Sequence, residues 1–484
     1  MTATNLTDIQ RSEPSADLTL RMPRPRIGLL TTGHFYYWDQ FPDLLEMGKQ
    51  MDRRLRSQLG EVGEVVGSQL VDTQEKAREA GEYFRQQDID ILFVFPSGYT
   101  PGMCVLPALK HVTAPIRLLN AHEDGTYDYK TADTTIYLHH EGPCCIPEYA
   151  AGLVSMGKSF KVRTGSFDSD RLWHEIRSDC VGAAAARAFR TMNVGLIGQT
   201  YTNMVDMPTD EHRILRATGR MLIRPEVEEI EQAYHRVTDQ QLEEMYQQFR
   251  QLFDVDATVT NEHLKFSAQL AIAYEEVVTK HEIYAFGYYW WGEQEFVTQL
   301  RSQSALAVSR LTAMGRPGVT EGDVKTAMGL KIMDYLGSGG MFVEFFGIDY
   351  DGEFFLMGHD GPSNFNVADG RPRLQHLEVH HGKSGHGLGI DFDFRHGPVT
   401  LLNVSQFHAG ETFKLIYTVA EAIPGDILNI GNPNCRVRVD RPLHDFFDQW
   451  CQQGPSHHIA LGIGDHSREI EAFGEAIGFP VVRI

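Results

Sequence analysis

A chain of 484 residues is too long for one ordinary hydrophobic core. At roughly 100–200 residues per domain it implies two to four domains. Its 42% hydrophobic, 10% aromatic and 23% charged residues lie in the globular range and exclude wholesale disorder, and a net charge of -21 argues against nucleic acid as a general partner.

No run of 18 apolar residues occurs, and Arg11, Glu13, Asp17 and Pro23 stand where a signal peptide needs an apolar stretch. Neither membrane insertion nor export is expected, which leaves the cytoplasm as the default address. The six cysteines (Cys104, Cys144, Cys145, Cys180, Cys435, Cys451) form no C-x-x-C pair and include two adjacent residues, so no disulfide framework is expected.

In chain order, residues 1–24 read as a polar tail, and Arg26–Thr32 is the first buried strand. A helix over Phe41–Leu59, a strand near Val65–Val71, a helix over Glu75–Gln87 and strands at Asp90–Pro96 and Pro115–Asn120 follow. This alternation predicts a parallel sheet with helices on both faces. A helix through Asp170–Arg190, a strand at Asn193–Gly198 and polar helices over Pro225–Phe253 predict a second layer of the same kind. From Met341 the pattern changes to short β-rich runs broken by Gly and Asp: Gly352–Met357, Leu374–His380, Thr400–Gln406 and Glu411–Tyr417. A helix at Pro442–Gln452 and a closing strand–helix–strand end the chain. The expected fold is thus two doubly wound α/β domains, 25–190 and 191–340, followed by a C-terminal antiparallel β-barrel-like domain, 341–484.

Four positions carry the chemistry. In Val319–Gly340, Thr320 and Asp323 have capping-box spacing, which predicts a helix starting at Glu321 and burying Val324, Met328, Ile332 and Leu336. The helix dipole then favours ionised Glu321. Glu344 lies in an otherwise apolar strand, Met341–Ile348, where a carboxylate needs a partner or a metal. His359 sits at the Gly-flanked end of a hairpin strand, and His457 and His458 on a loop entering an apolar strand. Adjacent histidines point different ways, so at most one is expected to ligate, which leaves the other free to face substrate. Taken alone, Glu321, His359 and the histidine pair more often have structural roles, and Glu344 is as often an edge residue facing water. Together, two carboxylates and two imidazoles suit Mn²⁺, Co²⁺ or Mg²⁺, and no cysteine ligands point to structural zinc.

Glu321–Ala327 (EGDVKTA), Phe342–Glu344 (FVE), Leu356–His359 (LMGH) and Gly454–His458 (GPSHH) resemble the successive metal-site motifs of the L-arabinose isomerase family, with spacings of 23, 15 and 99 residues between the four chemical groups. The resemblance implies that Glu321, Glu344, His359 and His458 hold a divalent cation and that the two glutamates are the acid–base pair. It further implies that Met204, in Tyr201–Met207, and Trp290, in Tyr284–Trp291, line the substrate pocket, with His457 toward the sugar. A trimer-based homo-oligomer, commonly a hexamer, is implied as well, the amino-terminal domain closing a neighbour's site. The expected reaction interconverts an aldose and its ketose through an enediol or a hydride shift.

Two departures bear on the sugar. Thr31–Trp38 (TTGHFYYW) lacks the family's glutamine-containing substrate motif, and its Q-x-x-H contacts are not recognisable around Thr131–Pro143. His34, Tyr36, Tyr99, His139 and His140 are candidates for an altered pocket, and a substrate other than L-arabinose is expected. The alternatives are a fucose-isomerase-like enzyme for a deoxy or branched sugar and a non-catalytic sugar-binding protein. The histidines of Leu374–Gly387 read as an exposed loop, and no glycine cluster makes a nucleotide fingerprint.

Overall fold

The structure is a computed structural model that describes residues 22–123, 125–377, 387–406 and 412–484. Residues 1–21 of the expected tail, His380, His381 and His386, and Glu411 of an expected strand lie outside the described residues. The chain forms two compact units. One comprises Pro23–Ala188 with Arg468–Gly478, and the other includes Met22, Phe189–Ser467 and Phe479–Ile484.

In the first unit five parallel strands lie in the order Glu64–Gly67, Arg26–Thr32, Ile91–Pro96, Ile116–His122 and Phe160–Ser166. Side chains alternate across a strand, so one apolar run serves two cores. Ile91, Phe93 and Phe95 pack with Ile27, Leu29, Met51, Leu55 and Leu59, whereas Leu92 and Val94 pack with Leu30, Ala77, Ala80 and Phe84. These partners place the helices Pro42–Val62 and Gln74–Gln86 on opposite faces. Helix Asp170–Thr191 adds Leu172, Ile176, Cys180 and Ala183 at helical spacing to the first face. The fifth strand was not expected from sequence. It is an edge strand of polar, half-exposed residues without the apolar run that marks the others.

Arg117, on the strand Ile116–His122, is fully buried and held by carboxylates from two helices, 2.9 Å from Asp179 and 2.8 Å from Glu475. Arg163 also binds Asp179, at 2.7 Å. Truncating one member of a buried ionic network leaves the others uncompensated, at a cost of about 3–5 kcal/mol. Arg117→Ala is therefore expected to shift urea unfolding of the full chain to clearly lower denaturant. An unchanged midpoint would show that the network adds nothing net.

In the second unit the strands Asn193–Gly198, Ile283–Tyr289 and Gly318–Val319 form a parallel sheet among helices, as the α/β reading expected. The β-rich part is a closed six-stranded antiparallel barrel. Its order is Gly397–Gln406, Ile459–Ile463, Gly340–Asp349, Phe354–Gly358, Asn434–Arg438 and Phe413–Ile423, the last pairing back onto the first. Closure leaves these strands without a free edge. The final strand, Val481–Arg483, joins outside in parallel with Phe413–Ile423.

Helix Val324–Tyr335 is buried around its circumference, Lys325 and Lys331 included. The expected apolar stripe is therefore only part of its buried surface. The ammonium of Lys331 is satisfied by the carbonyl of Gly315 at 2.9 Å and by the ring of Tyr335 at 4.3 Å.

Candidate metal centre

Sequence spacing predicted that a helix begins at Glu321, but the structure corrects this. The N-cap is Asp323, whose carboxylate accepts from the backbone N–H groups of Lys325 and Thr326, and the helix starts at Val324. Glu321 instead lies in the short turn Thr320–Gly322, in the left-handed region at φ 62°. The dipole argument for its ionisation therefore does not hold. A left-handed non-glycine residue costs on the order of 1–3 kcal/mol and persists where its surroundings impose it. Those surroundings are visible at Gly322: a Cβ there would lie 2.5 Å from the carbonyl oxygen of Gln199. The Tyr201 N–H donates to the Glu321 carbonyl at 2.9 Å, fixing the turn against the loop after Asn193–Gly198.

Barrel register gathers the other ligand candidates. Glu344 pairs with Gly358, the residue before His359, and Val343 pairs with Ile459, the residue after His458. Glu344, His359 and His458 thus emerge at one end of three neighbouring strands. Phe342, two residues before Glu344 on the same face, packs its ring 4.0 Å from that of His359 and 4.5 Å from that of His458. Ligand atoms of Glu344, His359 and His458 lie within 4.8 Å of one another, as do those of Glu321, His457 and His458.

The hydrogen bonds assign the imidazole tautomers. His359 Nδ1 lies 2.6 Å from the Asp360 carbonyl oxygen, which can only accept, so Nδ1 carries the proton. His458 Nδ1 faces the Asp323 carboxylate at 3.1 Å and is protonated for the same reason. The two Nε2 atoms face each other at 3.0 Å, and with both imidazoles neutral each presents a lone pair there. Beside them, 3.4 Å from His458 Nε2, the buried Glu321 Oε2 has no hydrogen-bond donor. Converging lone pairs need a cation or a shared proton.

Electrostatics agree with this picture. Burial, reinforced by His458, pushes His359 well below the usual histidine range, so it is a neutral imidazole. Burial raises Glu321 above the ordinary carboxylate value although His458 and His457 oppose the shift. For Asp323 burial acts upward, but Lys325, His458 and Thr326 outweigh it and hold the carboxyl far below its usual value. Asp323 thus stays ionised behind His458, the arrangement that orients metal-ligating histidines.

His457 borders the same cluster and has a partner of its own. Its Nδ1 and its backbone N both meet Asp206 Oδ2, at 2.7 and 2.8 Å. Its Nε2 lies 3.8 Å from Glu344 Oε2. Met204 is half-buried in the same loop as Asp206. Trp290 is buried in the core, its indole N–H donating to the Tyr274 hydroxyl at 3.1 Å, while the exposed Trp291 stacks on Tyr289. Asp206 lies in the Tyr201–Met207 segment, which was read for Met204 alone, and was missed by sequence reasoning. Asp323 stands within the EGD run but was read as a capping residue alone.

In the first unit His34, Tyr36 and Tyr99 gather beyond the carboxyl ends of Arg26–Thr32 and Ile91–Pro96, with ring centroids 5.1 Å apart for His34–Tyr36 and 6.2 Å for His34–Tyr99. His139 and His140 are buried, and His139 Nδ1 lies 3.1 Å from the Ser97 carbonyl. His376 stacks on His263 at 5.1 Å. All six cysteines are free, and among the described residues no helix is long and apolar enough to cross a membrane.

Comparison with known proteins gives a consistent likeness. The family model for the L-arabinose isomerase central domain matches residues 219–339, and that for the L-arabinose isomerase C-terminal domain matches 339–480. An L-arabinose isomerase of Nocardioides sp. is 25% identical over 358 residues, 70% of this chain and 68% of the relative. L-arabinose isomerase 1 of Bacillus licheniformis is 20% identical over 80% of this chain and 78% of its own length. A sulfoquinovose isomerase of Alkalicoccus urumqiensis is 22% identical over 61% of this chain and 65% of its own length.

Proposed function

The chain belongs to the L-arabinose isomerase family and is an aldose–ketose isomerase, and from that premise we propose that a divalent cation held by Glu321, Glu344, His359 and His458 supports its C1–C2 chemistry. The observation that carries this reading is the approach of the two Nε2 atoms to 3.0 Å beside the donorless Glu321 Oε2. Carboxylate oxygens with imidazole nitrogens suit Mn²⁺, with Co²⁺ and Mg²⁺ as alternatives. When bound, such an ion polarises a carbonyl and lowers the pKa of a neighbouring hydroxyl.

The chain's own residues do the rest. Glu321 and Glu344 approach the cluster from a turn and a strand, so one can take the C2 proton while the other donates, the sugar passing through an enediol. Asp323 fixes the ring of His458, as the Asp360 carbonyl does that of His359. The likeness to a sulfoquinovose isomerase, together with the changed amino-terminal motifs, supports a sugar other than L-arabinose. The protein acts on a free monosaccharide as a trimer-based homo-oligomer in the cytoplasm.

Chelation and readdition test the ion. Protein verified as metal-free is expected to lose aldose–ketose interconversion in a screen of pentoses, hexoses, deoxy sugars and tetroses, and to regain it with Mn²⁺. Full turnover without metal would remove the proposal.

A further inference from the structure

The proposed isomerisation needs an open-chain carbonyl, but aldoses of five or six carbons exist mainly as cyclic hemiacetals. Some group must take the proton of the anomeric hydroxyl and deliver one to the ring oxygen. The glutamates are assigned to C1 and C2, and His359 and His458 are buried with both nitrogens engaged. His457 differs, with its side chain 36% exposed beside Glu344.

Its geometry is fixed by Asp206. One carboxylate oxygen of Asp206 accepts both the backbone N–H and the Nδ1–H of His457, from a residue 251 positions away. With the Nδ1 proton committed, Nε2 carries the lone pair. At 3.8 Å from Glu344 Oε2 it is too far for a direct hydrogen bond, so the Nε2 lone pair can accept from a sugar hydroxyl. The loop carrying Asp206 is itself tied to the cluster: Tyr201 N–H binds the Glu321 carbonyl at 2.9 Å, and the buried Lys325 Nζ binds the Met207 carbonyl at 2.8 Å.

We propose that Asp206 is a positioning residue that holds His457 as the group that opens the sugar ring, an inference that rests on the isomerase reading above. Nε2 takes the proton of the C1 hydroxyl, and the freed electron pair on O1 forms the carbonyl. The bond between C1 and the ring oxygen breaks with its pair going to the ring oxygen, which takes the proton back from Nε2. The net change moves one hydrogen from O1 to the ring oxygen and restores the imidazole, so no oxidant or reductant is needed. Asp206 stabilises the transient imidazolium as a carboxylate behind a histidine does in hydrolases.

Ring opening has a readout separate from isomerisation, namely exchange between anomers. Freshly dissolved crystalline L-arabinose and D-glucose, each a single anomer at time zero, and the aldose the wild type turns over fastest would be followed by polarimetry and NMR. Wild type, Asp206→Asn and His457→Asn would each be tested metal-free and loaded with Mn²⁺, with Mn²⁺ affinity and thermal unfolding measured alongside. Wild type is expected to accelerate anomer exchange in both forms for at least one sugar. Both variants are expected to lose at least about tenfold of that acceleration while binding Mn²⁺ as wild type does. Undiminished exchange in both variants overturns the proposal. A loss of Mn²⁺ affinity of about tenfold or more in His457→Asn also overturns it, because His457 is then a ligand. A wild type that isomerises an aldose without accelerating anomer exchange overturns this inference alone, whereas one that isomerises none overturns the isomerase reading with it.

Discussion

Glu321→Gln and Glu344→Gln are each expected to lower kcat by about three orders of magnitude or more while leaving the fold intact. Loss of a positioned acid or base costs about 10²–10⁴-fold, and each substitution also replaces a charged ligand by a neutral one. The fold should survive for separate reasons at the two positions. Glutamine matches the shape of glutamate, and the buried Glu321 Oε2 accepts no hydrogen bond that the amide would forfeit. The Glu344 side chain is about one-third exposed, so an amide there remains partly solvated. Steady-state kinetics with the best aldose at saturating Mn²⁺, alongside circular dichroism, read both quantities. Near-normal turnover in either variant would show that the acid–base pair has been assigned to the wrong residues.

The fold was legible where local pattern carries the information. The apolar runs in Arg26–Thr32 and Asp90–Pro96 read as buried strands, and the structure has strands there that are buried on both faces. Assembly of the barrel rests on pairing between Phe354–Gly358 and Asn434–Arg438 and on the return of Ile459–Ile463 between two earlier strands. Such long-range pairing leaves no trace in the spacing of a single strand, so sequence could give a β-rich domain but not its register. At the site, the motifs named the residues that the register gathers, yet the means of holding them was hidden. The left-handed turn at Glu321 depends on Gly322 meeting the backbone of Gln199 and Thr200, a contact made only in the folded chain. Asp206 meets His457 across 251 residues, a pairing that its own segment does not announce. Trp290 and Trp291 are adjacent in sequence, and only packing decides that the first is buried and the second exposed.

L-arabinose is expected to be a poor substrate, with kcat/KM at least about two orders of magnitude below that of the best sugar. The cluster of Glu321, Glu344, His359 and His458 supports chemistry at C1 and C2, which every aldose shares. The amino-terminal segments whose family motifs are missing lie in the first unit, at the carboxyl ends of a doubly wound sheet, where such folds bind ligands. There the structure presents His34, Tyr37 and Tyr99 in ring contact, and the Nδ1 of His34 is buried with no hydrogen-bond partner. A site built to bond particular hydroxyls rejects a sugar lacking them by up to about 10⁴–10⁵-fold, because its polar groups are then left unpaired. Imidazole and phenol groups differ from glutamine in the number and direction of their donors, so a different preferred hydroxyl pattern is the expected result. Comparing kcat/KM across L-arabinose, other pentoses, hexoses, deoxy sugars, tetroses and sulfonated hexoses measures this directly. An optimum at L-arabinose would show that the altered segments do not read the sugar, and a flat profile would show that no hydroxyl beyond C2 is read at all.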